Sequence, residues 1–314
     1  MTPAGDHRLG VAVSGGRDSV ALLHAAATAA AGSGLEVWAL HVHHGLMPQA
    51  DDWWTTLEQQ CSRWARRGMP VRFAGERLTS APVAGQSIEA WARAGRYDAL
   101  TRMAKERQIG LVLLAQHRRD QAETVLLQAL RSGGPAGLSA MPRSIERLGI
   151  QWVRPWLDQP RPAIEAYVRQ YRLRYVDDPS NEDPRLARNR LRTQAWEALS
   201  EAFPQAEVAL AATARRMQEA AACNSELAAM DIAACVDAMG AVDLAAWAGL
   251  SPARRANLLR HWSARWCPAG MPETLIARLL DEAVGARNGS RWPIPGGQIK
   301  RLKGRLVLAL QERH

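Results

Sequence analysis

LGVAVSGGRDS, residues 9–19, joins an apolar run to a small turn that contains two glycines, and a helix-like stretch follows up to residue 31. A buried strand that ends in such a turn and enters a helix directs several unpaired backbone N–H groups at one point, which suits a phosphate group. Glycine lets the backbone come close, and Ser14 and Ser19 add hydroxyl donors. The stretch predicts a phosphate-binding loop; the alternative is an ordinary turn in which Asp18 caps the helix.

The turn matches neither of two common phosphate-binding motifs, because it lacks the GxxxxGK[ST] pattern and the GxGxxG pattern. The pattern SGGxDS resembles the pyrophosphate-binding loop (PP-loop) of the ATP-pyrophosphatase superfamily, whose members cleave ATP between its α and β phosphates. Asp18 is a candidate Mg²⁺ ligand, since a hard cation beside phosphates takes oxygen ligands. The resemblance implies that the nucleotide is bound by Ser14, Gly15, Gly16, Arg17, Asp18 and Ser19.

Composition is that of a soluble globular protein, with 47% hydrophobic and 23% charged residues in 314, a length that predicts about two domains. The sequence has no apolar run of membrane-spanning length and no signal peptide pattern, so we expect a cytoplasmic protein without membrane contact. The four cysteines form no CxxC pair and no metal-ligand spacing. Oligomeric state stays open, with a homodimer as one option.

The formal net charge of +9 favours a polyanionic partner such as RNA. Nearly all of the positive charge is arginine, because Lys105, Lys300 and Lys303 are the only lysines. Arginine can fork onto phosphates and stack on bases. A coding bias toward alanine and arginine explains the same composition, so charge alone leaves RNA binding undecided.

The first two thirds of the chain alternate between strand-like and helix-like segments, which predicts βαβ units and an open parallel sheet of the Rossmann-like α/β class. Strands are expected at 9–13, 35–43, 71–74 and 109–115. Helices are expected at 18–31, 51–67, 87–107 (opened by Ser87) and 120–131. Ligands of such folds bind beyond the carboxyl ends of the strands, where the polar motifs fall.

Beyond residue 131 the pattern changes. The glycine-rich stretch 131–141 is expected to be a loop, either a lid over the site or a surface loop without a role. From about residue 206 the chain is alanine-rich and helical, and 292–310 reads as a β-hairpin with Lys303-Gly304 at its turn. The predicted domains are 1–212, which binds the nucleotide and carries the catalytic residues, and 213–314, a small, mainly helical domain that binds tRNA or substrate.

Two polar motifs follow predicted strands. In HVHHGLM, His43 and His44 are adjacent and would point to opposite faces, so His41 and His44 are better candidates for lining the nucleotide pocket than for a metal site. In HRRDQAETVLL, Asp120, Glu123 and Thr124 share one helix face near a helix N-terminus. Such carboxylates suit Mg²⁺ or an amine, whereas the structural alternative is an N-cap with an acidic first turn.

Seven strings, in the order SGGRDS, HVHHGLM, SIEAWARAGRY, HRRDQAETVLL, VRPWL, VDDPSN and ARNRLR, resemble the tRNA(Ile)-lysidine synthetase family, strongly over about residues 9–200. The resemblance implies an enzyme that uses ATP, Mg²⁺ and free lysine to convert the wobble cytidine of an isoleucine tRNA into lysidine. In that chemistry the oxygen on carbon 2 of cytosine attacks the α-phosphate and releases pyrophosphate. The lysine ε-amine then displaces AMP. Positioning and electrostatic stabilisation suffice, without a protein nucleophile.

The resemblance also implies roles for particular residues. Asp18 and Asp120 would hold Mg²⁺, and Asp120 would alternatively draw the lysine ammonium into place with Glu123 in support. The substrate-binding candidates are Arg93, Arg96, Arg188, Asn189 and Arg192. For Arg93 and Arg96, and for Arg190 beside the last group, a solvated helix face is the alternative. Asp178, Ser180 and Asn181 are expected to form a structural turn.

The sequence departs from the family pattern at three positions. Arg119 precedes Asp120 where the family has paired aspartates, and His43 and Met47 stand where HVNHGLR has asparagine and arginine. A basic residue beside the site is costly unless its side chain points away or meets a phosphate. Asp120 is therefore the only aspartate of the pair that can carry its role.

Three other functions remain as alternatives. A tRNA thiolase of the same superfamily would need cysteines for sulfur or a cluster, and CxxC pairs are absent from the sequence. An amidotransferase-type ligase would keep the loop without needing RNA. A catalytically inactive tRNA-binding module would be consistent with Arg119.

Overall fold

The structure is a computed structural model that describes residues 7–45, 49–78, 88–177, 183, 185–264, 267, 270–294 and 296–310. The chain divides into two compact units, Met1–Gln218 and Glu219–His314. Helices long and apolar enough to cross a bilayer do not occur in these ranges.

The first unit is built on a six-stranded sheet with the order β3-β2-β1-β4-β6-β5. The pairs β3-β2, β2-β1, β1-β4 and β4-β6 are parallel, and β5 runs antiparallel on the edge. The strands are β1 (Arg8–Ala12), β2 (Glu36–His43), β3 (Val71–Arg77), β4 (Leu111–Leu113), β5 (Ser144–Arg147) and β6 (Ile150–Val153).

Helices cover both faces of this sheet, as a parallel sheet with apolar strands requires. Apolar side chains of α1, α2 and α6 pack on one face, and those of α3 pack on the other. The helices are α1 (Arg17–Ala29), α2 (Ala50–Arg66), α3 (Ile88–Glu106), α4 (Arg118–Ala129), α5 (Pro135–Leu138), α6 (Arg161–Gln170), α7 (Ala187–Arg190), α8 (Trp196–Ala202) and α9 (Ala206–Cys235), with a π-helical turn at Leu191–Ala195.

The predicted fold class is confirmed, and the strands and helices that were predicted differ from the observed ones at their ends. β4 is only three residues long, although the Leu114 N–H and the Gly110 carbonyl on either side of it still hydrogen-bond to β6 at 2.8 Å. α4 begins at Arg118, two residues before the predicted start, because His117 rather than Asp120 is its N-cap. Ser87, the predicted cap of α3, and Met47 of the HVHHGLM motif lie outside the described residues.

The sequence prediction missed several elements after α4, among them one hairpin and the helices α5 and α6. β5 and β6 form an antiparallel hairpin at the sheet edge, with four residue pairs from Ser144↔Val153 to Arg147↔Ile150. All four β5 residues are exposed, so β5 lacks the hydrophobic alternation that identifies a strand. The stretch 131–141, expected to be a loop, contains the one-turn helix α5, which begins with a proline at its first position.

The strand order reverses beside β1, because β2 lies on one side of it and β4 on the other. The segments that follow β1 and β4 therefore diverge and leave a crevice at the carboxyl ends of the two strands. SGGRDS follows β1 and HRRD follows β4, so both motifs border this crevice.

The second unit contains a four-stranded antiparallel sheet with the order β7-β10-β9-β8. The predicted hairpin is present as β9 and β10. Lys303 and Gly304 both have positive φ angles, 47° and 76°, as a two-residue hairpin turn requires. The elements are β7 (Val242–Asp243), β8 (Arg291–Ile294), β9 (Gly297–Leu302), β10 (Arg305–Leu310), α10 (Leu244–Ala248), α11 (Pro252–Ser263) and α12 (Glu273–Glu282).

Gly75 on β3 supports the Trp54 ring, which lies against it and packs edge-on to His41 and Phe73. A Cβ at this position would overlap the indole ring. We expect Gly75→Ala to lower the free energy of unfolding by about 1 to 3 kcal/mol, because the indole must move. Urea denaturation measures the change. Gly110→Ala is the matched control, since its Cβ meets no atom within 4 Å, and equal stability of the two variants would contradict the expectation.

Candidate active site

The loop after β1 is held in one conformation by its own serines. Gly15 has a φ of +93°, which favours glycine, and its carbonyl accepts a hydrogen bond from the Val176 N–H at 3.0 Å. The Ser19 hydroxyl donates to the Gly16 carbonyl (2.9 Å) and accepts from the Ser14 N–H (3.2 Å). The loop is therefore preorganised from residue 14 to residue 19.

The N-terminus of α1 opens into the crevice. The first hydrogen bond of this helix is donated by the Val20 N–H to the Gly16 carbonyl at 3.0 Å. Gly16 is the N-cap, and it has no side chain that could accept a hydrogen bond from the first N–H groups of the helix. The N–H groups of Arg17, Asp18 and Ser19 thus lie at the positive end of the helix dipole, an arrangement that binds anions.

His117 brings the two predicted metal-binding aspartates together. Its Nε2 lies 3.7 Å from Asp18 Oδ2 and 3.6 Å from Asp120 Oδ2. Burial raises the pKa of Asp18, but the positive charges of His117, Arg17 and Arg161 outweigh burial and lower it overall. Burial lowers the pKa of His117, and the carboxylates of Asp18, Asp120 and Glu123 raise it overall. Asp18 is therefore held as a carboxylate beside a histidine that favours the charged form.

His117 is the site residue that sequence reasoning missed. It is 3% exposed, caps α4 and stands directly at the crevice. Its position just after a predicted strand indicated a possible site residue. The sequence interpretation instead assigned the site roles to the carboxylates that follow it. The buried Nδ1 atom has no hydrogen-bond partner among the described residues.

Asp120 has a structural and an electrostatic role at once. Its Oδ2 accepts a hydrogen bond from the His117 backbone N–H at 3.0 Å, which closes a capping box. Its Oδ1 accepts from Arg192 at 2.7 Å. The predicted alternative of an acidic first turn is thus present, together with contacts to two cationic side chains.

Glu123 is fully buried and is neutralised by arginines that follow α6 in the sequence. Arg192 Nε lies 2.8 and 2.9 Å from its two oxygens, and Arg188 Nε lies 3.7 Å from Oε2. Arg188 also donates to the Thr124 hydroxyl at 2.7 Å. Of the predicted substrate-binding residues, Arg188 and Arg192 therefore meet the acidic face of α4.

The remaining residues of ARNRLR point elsewhere. The Asn189 side chain is buried, and its amide donates to the Asp183 carbonyl at 3.0 Å. Arg190 is exposed and donates to the Arg185 carbonyl at 2.9 Å. Asp178, Ser180 and Asn181 lie outside the described residues.

Arg119, the departure from the family pattern, turns away from the Asp18–His117 pair. Its guanidinium lies 4.5 Å from the centre of the Trp196 ring, and its Nε lies 3.5 Å from Glu123 Oε1. Helix geometry accounts for this direction, because neighbouring residues on a helix are separated by about 100°. The basic residue therefore does not displace Asp120 from the crevice.

The histidines at the end of β2 form a second group at the same edge of the sheet. The buried His41 ring donates from Nδ1 to the Val13 carbonyl at 2.8 Å, directly before the loop. His44 Nε2 accepts from Arg96 at 3.3 Å. Burial and the neighbouring positive charge of Arg96 lower the pKa of His44 to about 4, so the ring is neutral. Arg93 lies over the Tyr97 ring at 5.4 Å.

His43 differs from its neighbours. Its Nδ1 accepts from the Gly45 N–H at 3.1 Å, and its Nε2 faces Asp51 at 3.3 Å. Groups of three or more histidine, cysteine or acidic side chains with metal-binding geometry are absent from the residues that the structure describes. A cation at this crevice would thus be held by two carboxylates of the protein and by ligands from other molecules.

Comparison with known proteins gives two family matches. Residues 1–199 match the PP-loop domain, and residues 243–307 match the TilS substrate binding domain. Among solved structures, the U34-tRNA thiolase NcsA from Methanococcus maripaludis is similar in fold, with a TM-score of 0.55 and 13% identity over 68% of this chain and 73% of that chain.

Several relatives carry the name tRNA(Ile)-lysidine synthase. The protein from Bordetella bronchiseptica is 42% identical over 95% of this chain and 88% of the relative. That from Ralstonia nicotianae is 43% identical over 94% and 63%, and that from Pseudomonas syringae pv. tomato is 37% identical over 91% and 68%. The resemblance inferred from the seven sequence motifs is confirmed. With the PP-loop and the two carboxylates at one crevice, these matches show that the chain belongs to the tRNA(Ile)-lysidine synthase family.

Proposed function

We propose that this protein joins free lysine to carbon 2 of the wobble cytidine of an isoleucine tRNA with a CAU anticodon, with conversion of ATP to AMP and pyrophosphate. The observation that carries the proposal is the convergence of the loop at 14–19 with Asp18 and Asp120 in the crevice between β1 and β4. The relatives' name supports the substrate. The enzyme class that follows is a ligase that forms a carbon–nitrogen bond.

The first step requires stabilisation of negative charge. The cytosine oxygen on carbon 2 attacks the α-phosphorus, and the bond to the β-phosphate oxygen breaks, so that pyrophosphate leaves with the electron pair. The N–H groups at the start of α1 are placed to hold this pyrophosphate. His41 and His44, at the end of β2, would line the nucleotide side of the crevice.

The two carboxylates fit Mg²⁺, which in phosphoryl-transfer sites takes one or two protein carboxylates and completes its shell with phosphate oxygens and water. Asp18 and Asp120 would hold it, since their Oδ2 atoms both lie within 3.7 Å of one atom, His117 Nε2. When bound, Mg²⁺ would neutralise charge on the phosphates.

The second step requires an amine in the correct position. The lysine ε-ammonium first gives up a proton to water, its Nζ then forms a bond to carbon 2, and the bond from carbon 2 to the adenylated oxygen breaks, so that AMP leaves with the electron pair. Asp120 at the crevice would attract the lysine ammonium, and Glu123 would act on Asp120 through the shared Arg192. Glu123 is therefore a positioning residue in this proposal.

For the tRNA we propose contacts in both predicted domains. In 1–212, Arg93, Arg96 and the exposed Arg190 are the candidates. In 213–314, Arg291 on β8 stands directly opposite Lys300 on β9. Like charges in this register repel each other, and a phosphate beside them would remove the repulsion.

The wild-type reaction tests the proposed function. Pyrophosphate release is measured with tRNA and lysine each present or omitted. In a second measurement, the tRNA reacts with isotopically labelled lysine and its mass is determined by mass spectrometry. We expect release to depend on tRNA and labelled tRNA to form only with lysine. Modification that requires a sulfur donor would instead indicate a thiolase, and tRNA binding without turnover would indicate an inactive module.

Asp120→Asn separates the two steps. The substitution keeps the size of the side chain but removes the charge that attracts the ammonium. We expect lysidine formation to fall by about a hundredfold or more, because the ammonium loses its counter-charge, and tRNA adenylation to fall less, because Asp18 would still hold Mg²⁺. Quenched-flow separation of adenylated tRNA from lysidine-containing tRNA measures both. Asp98→Asn, at an exposed position on α3, is the control, and a normal rate of lysidine formation by Asp120→Asn would refute the assignment.

A further inference from the structure

His43 stands where the family pattern HVNHGLR has asparagine, and the steps described above give it no role. Its side chain is buried, and both of its ring nitrogens have partners. Nδ1 accepts a hydrogen bond from the Gly45 N–H at 3.1 Å, and Nε2 lies 3.3 Å from Asp51 Oδ1. Because Nδ1 is an acceptor, the neutral ring carries its proton on Nε2 and directs it at the carboxylate.

The hydrogen bond to Gly45 closes a three-residue turn, 43–45, at the end of β2. Gly45 has a φ of +69°, and its N–H donates back to the side chain two residues earlier. An asparagine at position 43 would make the same contact, because its Oδ1 is attached to Cγ as Nδ1 is in histidine. The two side chains respond differently to acid. The amide oxygen remains an acceptor at every pH, whereas the imidazole Nδ1 becomes a donor once the ring is protonated.

The 43–45 turn sets the position of His44, its middle residue. His44 Nε2 accepts a hydrogen bond from Arg96 Nε at 3.3 Å. Burial and the positive charge of Arg96 lower the pKa of His44 to about 4, so this ring remains a neutral acceptor. His41, earlier on the same strand, donates to the Val13 carbonyl at 2.8 Å, directly before the loop at 14–19. The end of β2 therefore contacts the phosphate-binding loop on one side and Arg96 on the other.

Charged groups from two other elements face the His43 ring. Asp51, in the first turn of α2, faces Nε2 and favours the protonated ring. Arg77 on β3 opposes it, because its Nη1 lies 3.5 Å from Nε2, but Arg77 is itself paired with Asp51 at 2.5 Å. The other titratable or cationic groups at this end of β2 are His41, His44 and Arg96. A proton on Nδ1 would thus leave the contact with Asp51 in place and remove only the contact with Gly45.

We propose that His43 is a positioning residue that makes ATP binding by this chain depend on pH. While the ring is neutral, Nδ1 holds the 43–45 turn and His44 keeps its place beside Arg96. When Nδ1 takes up a proton, two N–H groups face each other, the turn opens, and His44 leaves the crevice. The inference rests on the proposed function, in which His44 lines the nucleotide side of the crevice. It adds a pH dependence that asparagine at position 43 would not confer.

The test compares the wild type with His43→Asn. The Kd for ATP with Mg²⁺ is measured by calorimetry at about pH 7.5 and about pH 5.5, on either side of the range in which histidine titrates. We expect the wild-type Kd to rise about three- to tenfold more than that of His43→Asn on acidification, since one hydrogen bond is lost. Other titrating groups act in both proteins, so the ratio isolates His43. At the higher pH the two Kd values should agree within about twofold.

Two further variants separate the acceptor from the ring. His43→Ala has no acceptor at any pH, so its ATP affinity at the higher pH should already be as weak as that of the wild type at the lower pH. Acidification should then change it only as much as it changes His43→Asn. His7→Asn, at an exposed position just before β1, is the control and should keep the full wild-type dependence. Equal pH dependence of ATP affinity in the wild type and His43→Asn would overturn the proposal.

The amide NMR signal of Gly45 reports on the turn without nucleotide or turnover. It should move with pH in the wild type and stay in place in His43→Asn, and a wild-type signal that does not respond to pH would contradict the inference. Failure of the proposed function has a different outcome. If ATP affinity shows the expected dependence and no lysidine forms, the role of His43 stands and the proposed function fails. If lysidine forms and both proteins bind ATP with the same pH dependence, only the role of His43 fails.

Discussion

Asp18→Asn is expected to reduce pyrophosphate release by about a thousandfold or more while the protein remains folded. The asparagine has the same shape at the start of α1, so the helix and the hydrogen bonds of the loop are retained. It cannot carry the negative charge that the lowered pKa of Asp18 maintains. The loss should therefore fall on the step that brings Mg²⁺ to the phosphates, which is measured as pyrophosphate formed per enzyme in the presence of tRNA.

The direction in which ATP affinity changes, measured with and without Mg²⁺, distinguishes a metal ligand from a structural residue. Without Mg²⁺, Asp18→Asn should bind ATP at least as tightly as the wild type, because a carboxylate next to the phosphates has been removed. With Mg²⁺, it should bind less tightly, and a higher Mg²⁺ concentration should recover part of the rate. Asp52→Asn, exposed in the first turn of α2, is the control. Wild-type turnover by Asp18→Asn would exclude the metal role.

The sequence was sufficient for the parts of the fold that local patterns encode. Apolar runs followed by small polar turns identified β1, β2 and β4, and the Lys303-Gly304 pair identified the last hairpin, because a positive φ at both positions is a local requirement. The β5-β6 hairpin was missed for the opposite reason. Its outer strand is exposed on every side chain and is a strand only through pairing with β6.

The site was predicted as a set of motifs, but its internal pairing was not. The acidic face of α4 and the arginines of 188–192 were expected to meet ligands separately, whereas in the structure Glu123 and Arg192 meet each other. About seventy residues separate these partners in the chain. Hydrophobic periodicity does not predict a contact between residues that are so far apart in the sequence. The role of His117 was missed for the same reason, because its two carboxylate partners follow different strands.

The ion pair of Arg192 with Glu123 carries the second large prediction. Glu123 is completely buried, and Arg192 is the only side chain among the described residues that approaches both of its oxygens within 3 Å. We expect Arg192→Met to lower the free energy of unfolding by about 3 kcal/mol, because a buried carboxylate loses its closest counter-charge. For a unit of about two hundred residues this corresponds to a fall in Tm of roughly 6 to 12 °C.

A double-mutant cycle separates the buried charge from the shape of the arginine. Glu123→Gln should recover much of the stability lost in Arg192→Met, since a neutral amide needs no counter-charge, and the coupling should be about 1 to 3 kcal/mol. Arg169→Met, at an exposed position in the last turn of α6, should change stability by less than about 0.5 kcal/mol. Losses that simply add in the double variant would show that Arg119 and Arg188 already neutralise Glu123, because their Nε atoms lie 3.5 and 3.7 Å from it. If the losses are coupled, Glu123 depends on Arg192 for its charge balance, and the same guanidinium also contacts Asp120 at 2.7 Å.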